Sequence, residues 1–233
     1  MGTRRDFLLG LAAAPLLAQT AKLKVVVTGG HPGDPEYGCG GTVARYTDRG
    51  HEVVLLYLNH GEKSCPASAG DPGSTVRTAE AQQACRILRA RALFAGQCDG
   101  HAVLDNAHYD DFRKVLEAEQ PDVVFTHWPV DQHRDHVAIS SLVHDTFLRG
   151  GKKFALYYYE VGEDTFMFSP TEYVDISSVE PRLRAACYAH ASQTPDRFYP
   201  EQMRISRFRG DESGYLLAEA FLPHIRSRRN LLP

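Results

Sequence analysis

Two clusters of acids and histidines stand about a hundred residues apart, His31-Pro-Gly-Asp-Pro-Glu36 and Asp131-Gln-His-Arg-Asp-His136, each directly after an apolar run. These residue types suit a metal site, because a hydrolytic zinc centre takes three nitrogen or oxygen ligands from the protein and keeps one position open for water. His31 and Asp34, close together on a Pro/Gly turn, can supply two ligands, and a histidine of the second cluster can supply the third. One such cluster alone reads equally well as loop polarity and helix capping. Two of them at equivalent strand ends favour the metal.

The elements that must position these residues alternate. Apolar runs at 23–28 and 122–126 predict strands, so each cluster sits where a strand hands over to a loop, the edge of an open α/β sheet at which ligands bind. Further strands are expected at 52–58, 91–94, 154–159 and 171–175, with helices at 41–49, 74–88, 110–119, 136–148 and 178–189. This order predicts an α/β, Rossmann-like fold, a mostly parallel sheet with helices on both faces. With 233 residues and 43% hydrophobic content the chain can bury one substantial core, and one domain is expected. The loop 59–73, rich in Gly, Pro and Ser, lies on the ligand edge. The stretch 193–214, which mixes arginines with aromatics, reads either as a wall for a sugar or anionic substrate or as a solvated face over a satellite core.

The two clusters resemble motifs of the zinc-dependent N-acetylglucosaminyl deacetylases, the PIG-L/LmbE-like family. That family's first motif, His-Pro-Asp-Asp-Glu followed by Gly-x-Gly-Gly-Thr, is approximated by His31-Pro-Gly-Asp-Pro-Glu-Tyr-Gly-Cys-Gly-Gly-Thr42. Its second, His-Pro-Asp-His, is approximated by His133-Arg-Asp-His136. Asn59-His-Gly-Glu62, Arg77-Thr-Ala-Glu80, Tyr173-Val-Asp-Ile-Ser177, His190-Ala-Ser-Gln193 and Ala218-Glu-Ala-Phe221 extend the likeness along the chain. The resemblance implies an LmbE-like fold and a zinc ion, or iron or manganese in its place, held by His31, Asp34 and His136. It further implies His133 as the acid or oxyanion-stabilising residue, Asp135 as its tuner, and Arg77 as a contact to substrate hydroxyls or a neighbouring phosphate. The implied activity is removal of an N-acetyl group from an amino sugar or related amine by attack of a metal-bound water.

One departure bears on that activity. The family places an aspartate general base just before the metal-binding Asp, and here that position is Gly33. General-base catalysis is typically worth about 10²–10⁴-fold, which is on the order of 3–5 kcal/mol of transition-state stabilisation. Three carboxylates are candidates to replace it: Glu36, Asp131 and Glu62.

Charge is dispersed and nets −3 with no basic stripe, which argues against nucleic acid. The expected partner is a small N-acetylated sugar or glycan, and a homo-oligomer is left open. Thr3-Arg-Arg-Asp-Phe-Leu-Leu9 resembles a twin-arginine export motif, and the apolar residues 7–17 fall short of the roughly 20 needed to span a bilayer. Residues 1–21 are therefore expected to be a signal peptide and 22–233 the deacetylase domain. The destination is the bacterial periplasm or the exterior, without a stable membrane anchor. The five cysteines form no regular disulfide framework, and Cys39, Cys85 and Cys187 read as buried thiols.

Two rival functions remain. A metal-binding pseudoenzyme that recognises glycans would fit the loss of the base at Gly33. A nucleotide-binding Rossmann protein fits less well, since the Gly-x-Gly-x-x-Gly fingerprint is missing and Asp34 and Glu36 would repel a pyrophosphate.

Overall fold

The computed structural model describes residues 21–65, 71–162 and 164–233, so the expected signal peptide lies, up to residue 20, outside the described residues. In chain order the elements are β1 (Lys24–Gly29), α1 (Asp34–Asp48), β2 (Glu52–Tyr57), α2 (Pro72–Leu88), β3 (Arg91–Phe94), α3 (Asn106–Ala118), β4 (Val123–His127), α4 (Arg134–Arg149), β5 (Ala155–Tyr159), β6 (Glu172–Asp175), α5 (Glu180–Tyr188), α6 (Pro195–Ser213) and β7 (Ala218–Pro223). The sheet order is β3-β2-β1-β4-β5-β7-β6. Neighbours from β3 to β5 pair in parallel, with Val25 opposite Val53 on one side and Val123 on the other. β7 runs antiparallel to both β5 and β6.

Alternation along the strands sorts their apolar side chains into two cores. Val25, Val27, Leu55, Tyr57, Phe125 and Tyr159 pack against α1, α2 and α5. Val26, Val54, Leu56, Val124 and Leu156 pack against α3 and α4 on the opposite face. Period-2 side-chain placement in buried parallel strands explains why both sets are hydrophobic and the runs look continuous in sequence. The expected α/β fold, mostly parallel with helices on both faces, is observed.

The differences from expectation lie at three places. α1 starts at Asp34 rather than near residue 41, because Pro35 sits in its first turn, where proline is tolerated. Gly38, Gly40 and Gly41 are interior residues of this helix: a Cβ on Gly38 would strike the Tyr159 ring. The stretch after residue 193 is the long helix α6, with Pro200 inside it, followed by β7. An internal proline and an arginine-rich, weakly amphipathic sequence hide that helix from a pattern reading. β7 also reaches back to the start of the chain. The fully buried Glu219 carboxylate accepts from the backbone N–H groups of Gly41 and Thr42, at 2.7 Å each, clamping α1. Burial pushes that carboxyl up to about 7, and the hydrogen bonds from Thr42 and Gly41 hold it back from rising further.

Candidate metal centre

β1 and β4 are neighbours where the strand order reverses, since β1 continues through α1 to β2 on one side while β4 continues through α4 to β5 on the other. Loops at the carboxyl ends of such strands form a crevice, and both acid and histidine clusters lie in it. Asp34 is the first residue of α1, and its Oδ2 accepts from the His31 backbone N–H at 2.8 Å. The same oxygen lies 3.2 Å from His31 Nδ1 and 3.1 Å from His136 Nε2.

The far nitrogen of each ring is held by a different aspartate. His31 Nε2 lies 3.2 Å from both Asp135 Oδ2 and Asp99 Oδ1, and His136 Nδ1 lies 3.1 Å from Asp131 Oδ1. A histidine that turns one nitrogen to a metal and the other to a carboxylate is the usual outer support of metal centres.

The electrostatics agree with a cation site. Burial opposes charge on His31, yet Asp34, Asp135 and Asp99 outweigh it and raise the imidazole well above its ordinary value. His136 is likewise buried, and Asp34 with Asp131 brings it to about 9. Burial also opposes ionisation of Asp34, but His136 and His31 hold its carboxyl well below the usual range. The carboxylates of Asp34, Asp99, Asp131 and Asp135 around two imidazoles demand positive charge, and a divalent ion fits that donor set. His31, Asp34 and His136 could hold it.

Several residues stand apart from the roles the sequence suggested. The Asp135 carboxylate does not face His133. It accepts from Asn59 Nδ2 (3.2 Å) and the Gly100 N–H (2.7 Å) beside His31, and only the Asp135 backbone N–H reaches His133 Nδ1, at 3.3 Å. Burial, followed by the charges on His31 and His136, lowers the His133 pKa and outweighs the upward pull of Asp34 and Asp135.

The surrogate bases fare no better. Asp131 is committed on both oxygens, to the His133 N–H and His136 on one and to Thr165 Oγ1 on the other. Glu36 is fully buried inside α1, where its Oε1 accepts from Tyr57 Oη at 2.7 Å and lies 3.0 Å from His190 Nε2. Glu62 accepts from the N–H groups of His60 and Asp99 and braces the loop after β3.

Arg77 does reach the cavity. Its guanidinium donates to the Pro32 carbonyl at 3.0 Å and lies 3.7 Å from Asp99 Oδ2. The cavity measures about 300 Å³ and is lined by His31, Asp34, Arg77, Asp99, His133, His136, His190 and, from α6, Phe198, Glu201 and Gln202. The stretch 193–214 thus builds a wall of the cavity, although through Phe198, Glu201 and Gln202 rather than Arg209, which is paired with Glu160 and Glu212.

Sequence reasoning missed two residues. Asp99 follows a short strand with no motif around it. His127 ends β4, fully buried and stacked 3.9 Å from the His136 ring, and burial pushes it down to about 4. Its Nε2 accepts from the Gly30 N–H at 3.2 Å and lies 3.3 Å from Asp34 Oδ2. The alternation Val123, Phe125, His127 was the available signal. A disulfide, Cys65–Cys98, ties the loop after β2 to the loop that carries Asp99, while Cys39, Cys85 and Cys187 are buried free thiols as expected.

This fold and this site define a class, the metal-dependent hydrolases built on a Rossmann-like sheet. Residues 26–147 match the GlcNAc-PI de-N-acetylase family, PIG-L, and the chain belongs to it. It is a metal-dependent N-deacetylase of that family. The chain is 28% identical over 225 residues to the diacetylchitobiose deacetylase of Thermococcus kodakarensis, covering 87% of this chain and 84% of that protein. The crystal structure of the conserved protein TT1542 from Thermus thermophilus superposes with a TM-score of 0.77 at 27% identity, covering 89% of this chain and 97% of that one. The 4-carboxy-2-hydroxymuconate hydratase GalB of Pseudomonas putida has a TM-score of 0.76 at 22% identity, over 90% and 99% of the two chains, a likeness of fold.

Proposed function

We propose that the protein removes the acetyl group from an N-acetylated amino sugar, with His31, Asp34 and His136 as ligands to zinc. The observation that carries this is the convergence of His31 Nδ1 and His136 Nε2 on one oxygen of Asp34, each ring backed by its own aspartate. A bound zinc ion supplies polarisation of the amide carbonyl and a lowered pKa for water. His133 contributes as a neutral donor. Its Nδ1 accepts from the Asp135 backbone, which leaves the proton on Nε2, and an N–H at the cavity wall stabilises an oxyanion as it develops. Arg77 and Asp99, one a donor and one an acceptor at the cavity edge, suit the hydroxyls of a sugar ring.

Free-amine release from a panel of N-acetylated sugars tests the reading. Zinc-loaded protein is expected to release amine, and both a chelated sample and His136→Ala are expected to fall below detection. Metal bound with no release from any sugar would favour the glycan-recognising pseudoenzyme.

Export by the twin-arginine route to the periplasm or exterior is part of the same proposal. The Arg4–Arg5 pair supports it, and the Cys65–Cys98 disulfide suits an oxidising compartment. Cytoplasmic retention of an Arg4→Lys, Arg5→Lys double variant is expected on cell fractionation, and unchanged export would refute the route.

A further inference from the structure

The family's general base has no counterpart at Gly33, and the structure shows what borders that position. A Cβ built on Gly33 would lie 3.7 Å from the Tyr37 ring and 3.9 Å from His190 Cγ, in ordinary contact with both. His190 comes from the turn after α5, is fully buried and lines the cavity. Its Nε2 lies 3.0 Å from Glu36 Oε1, an oxygen that also accepts from Tyr57 Oη. That oxygen is already an acceptor for the Tyr57 hydroxyl, so the geometry points to Nε2 as the donating nitrogen and leaves Nδ1 with its lone pair. Among the described residues, Nδ1 has no hydrogen-bond partner.

We propose that Glu36 and His190 form a dyad that replaces the missing aspartate, with His190 Nδ1 as the general base and Glu36 as the residue that positions it. This inference rests on the deacetylase reading above. In the reaction, the water oxygen bonds to the amide carbonyl carbon as one of its protons passes to His190 Nδ1. The C–N bond then breaks with its electron pair on nitrogen, which takes that proton back from His190, giving the free amine and acetic acid, which ionises to acetate. A base oriented by a buried carboxylate through its other ring nitrogen is the arrangement by which imidazoles act in hydrolases. Glu36, nominated by sequence as the base itself, acts one residue removed from the chemistry.

The test uses the zinc-loaded full chain with His190→Ala, His190→Gln and Glu36→Gln. Zinc content is expected to stay at the wild-type level in all three. Turnover in both His190 variants is expected to fall about 10²–10⁴-fold with KM nearly unchanged. Substituted imidazoles added to His190→Ala are expected to restore turnover in the order of their basicity, which a merely structural role would not produce. Independently of activity, nitrogen-15 histidine spectra of the wild type are expected to show His190 protonated on Nε2 and not on Nδ1, with that signature altered in Glu36→Gln. Wild-type turnover retained in His190→Gln, or the proton found on Nδ1, overturns the dyad alone. No amine release from metal-loaded wild type overturns the deacetylase reading on which it rests.

Discussion

The two walls of the cavity treat their histidines in opposite ways. On the side of β1 and β4, His31 and His136 have both ring nitrogens engaged, one on Asp34 and the other on Asp135 or Asp131. Beside Gly33, His190 is anchored by Glu36 through one nitrogen, and the other is orphaned. The first arrangement surrounds imidazole with negative charge and suits a cation. The second leaves a buried, unpartnered lone pair at the cavity lining and suits a proton. Residues of one type are thus divided between holding and transferring by the number of carboxylates around them.

On that division, pH acts most strongly on the first wall. Ligation requires neutral imidazole, and His136 in the metal-free protein stands near 9. Metal binding below that value must expel a proton, so affinity is expected to rise about tenfold per pH unit for each proton displaced, roughly a hundredfold between pH 6 and 8 for His136 alone and more as His31, likewise raised, gives up its own. Calorimetry in buffers of different ionisation heat counts the protons released, and a count of zero would contradict the carboxylate cage.

A second expectation sharpens the contrast between the walls. Asp131→Asn removes the support of His136 and should weaken metal binding by about 10–100-fold, measured by competition with a chromogenic chelator. An Asp131→Asn protein with wild-type affinity would mean that His136 needs no support.

The smallest effect is expected at Gly33, whose φ of 115° lies in a region that side chains rarely adopt. Gly33→Asp restores the family residue but should cost about 1–3 kcal/mol, visible as a lower Tm, without raising amine release. A gain in turnover would show that position 33 still accepts a base and would weaken the case for His190.

Much of this was legible in sequence, for local reasons. Strand β1 with the turn to Asp34, and β4 with the turn to His136, are short stretches whose apolar runs and polar ends announce themselves, and both loops meet where expected. Glu36 misled because α1 begins at Asp34. At about 100° per residue, two positions carry a side chain to the far side of the helix, away from the metal and onto Tyr57 and His190. Asp99 and Asp135 gain their places through contacts with His31, 68 and 104 residues away in the chain, and no local pattern encodes such pairings. α6 was hidden by Pro200, yet it supplies the cavity wall that a sugar would meet.

The grip of Glu219 on Gly41 and Thr42 has a consequence for biosynthesis. The helix that begins with Asp34 receives this anchor from a strand synthesised 178 residues later. A nascent chain emerging at about 5–20 residues per second therefore exposes both histidine clusters for many seconds before that clamp exists. The cavity is therefore completed only after β7 has been made, well after both histidine clusters.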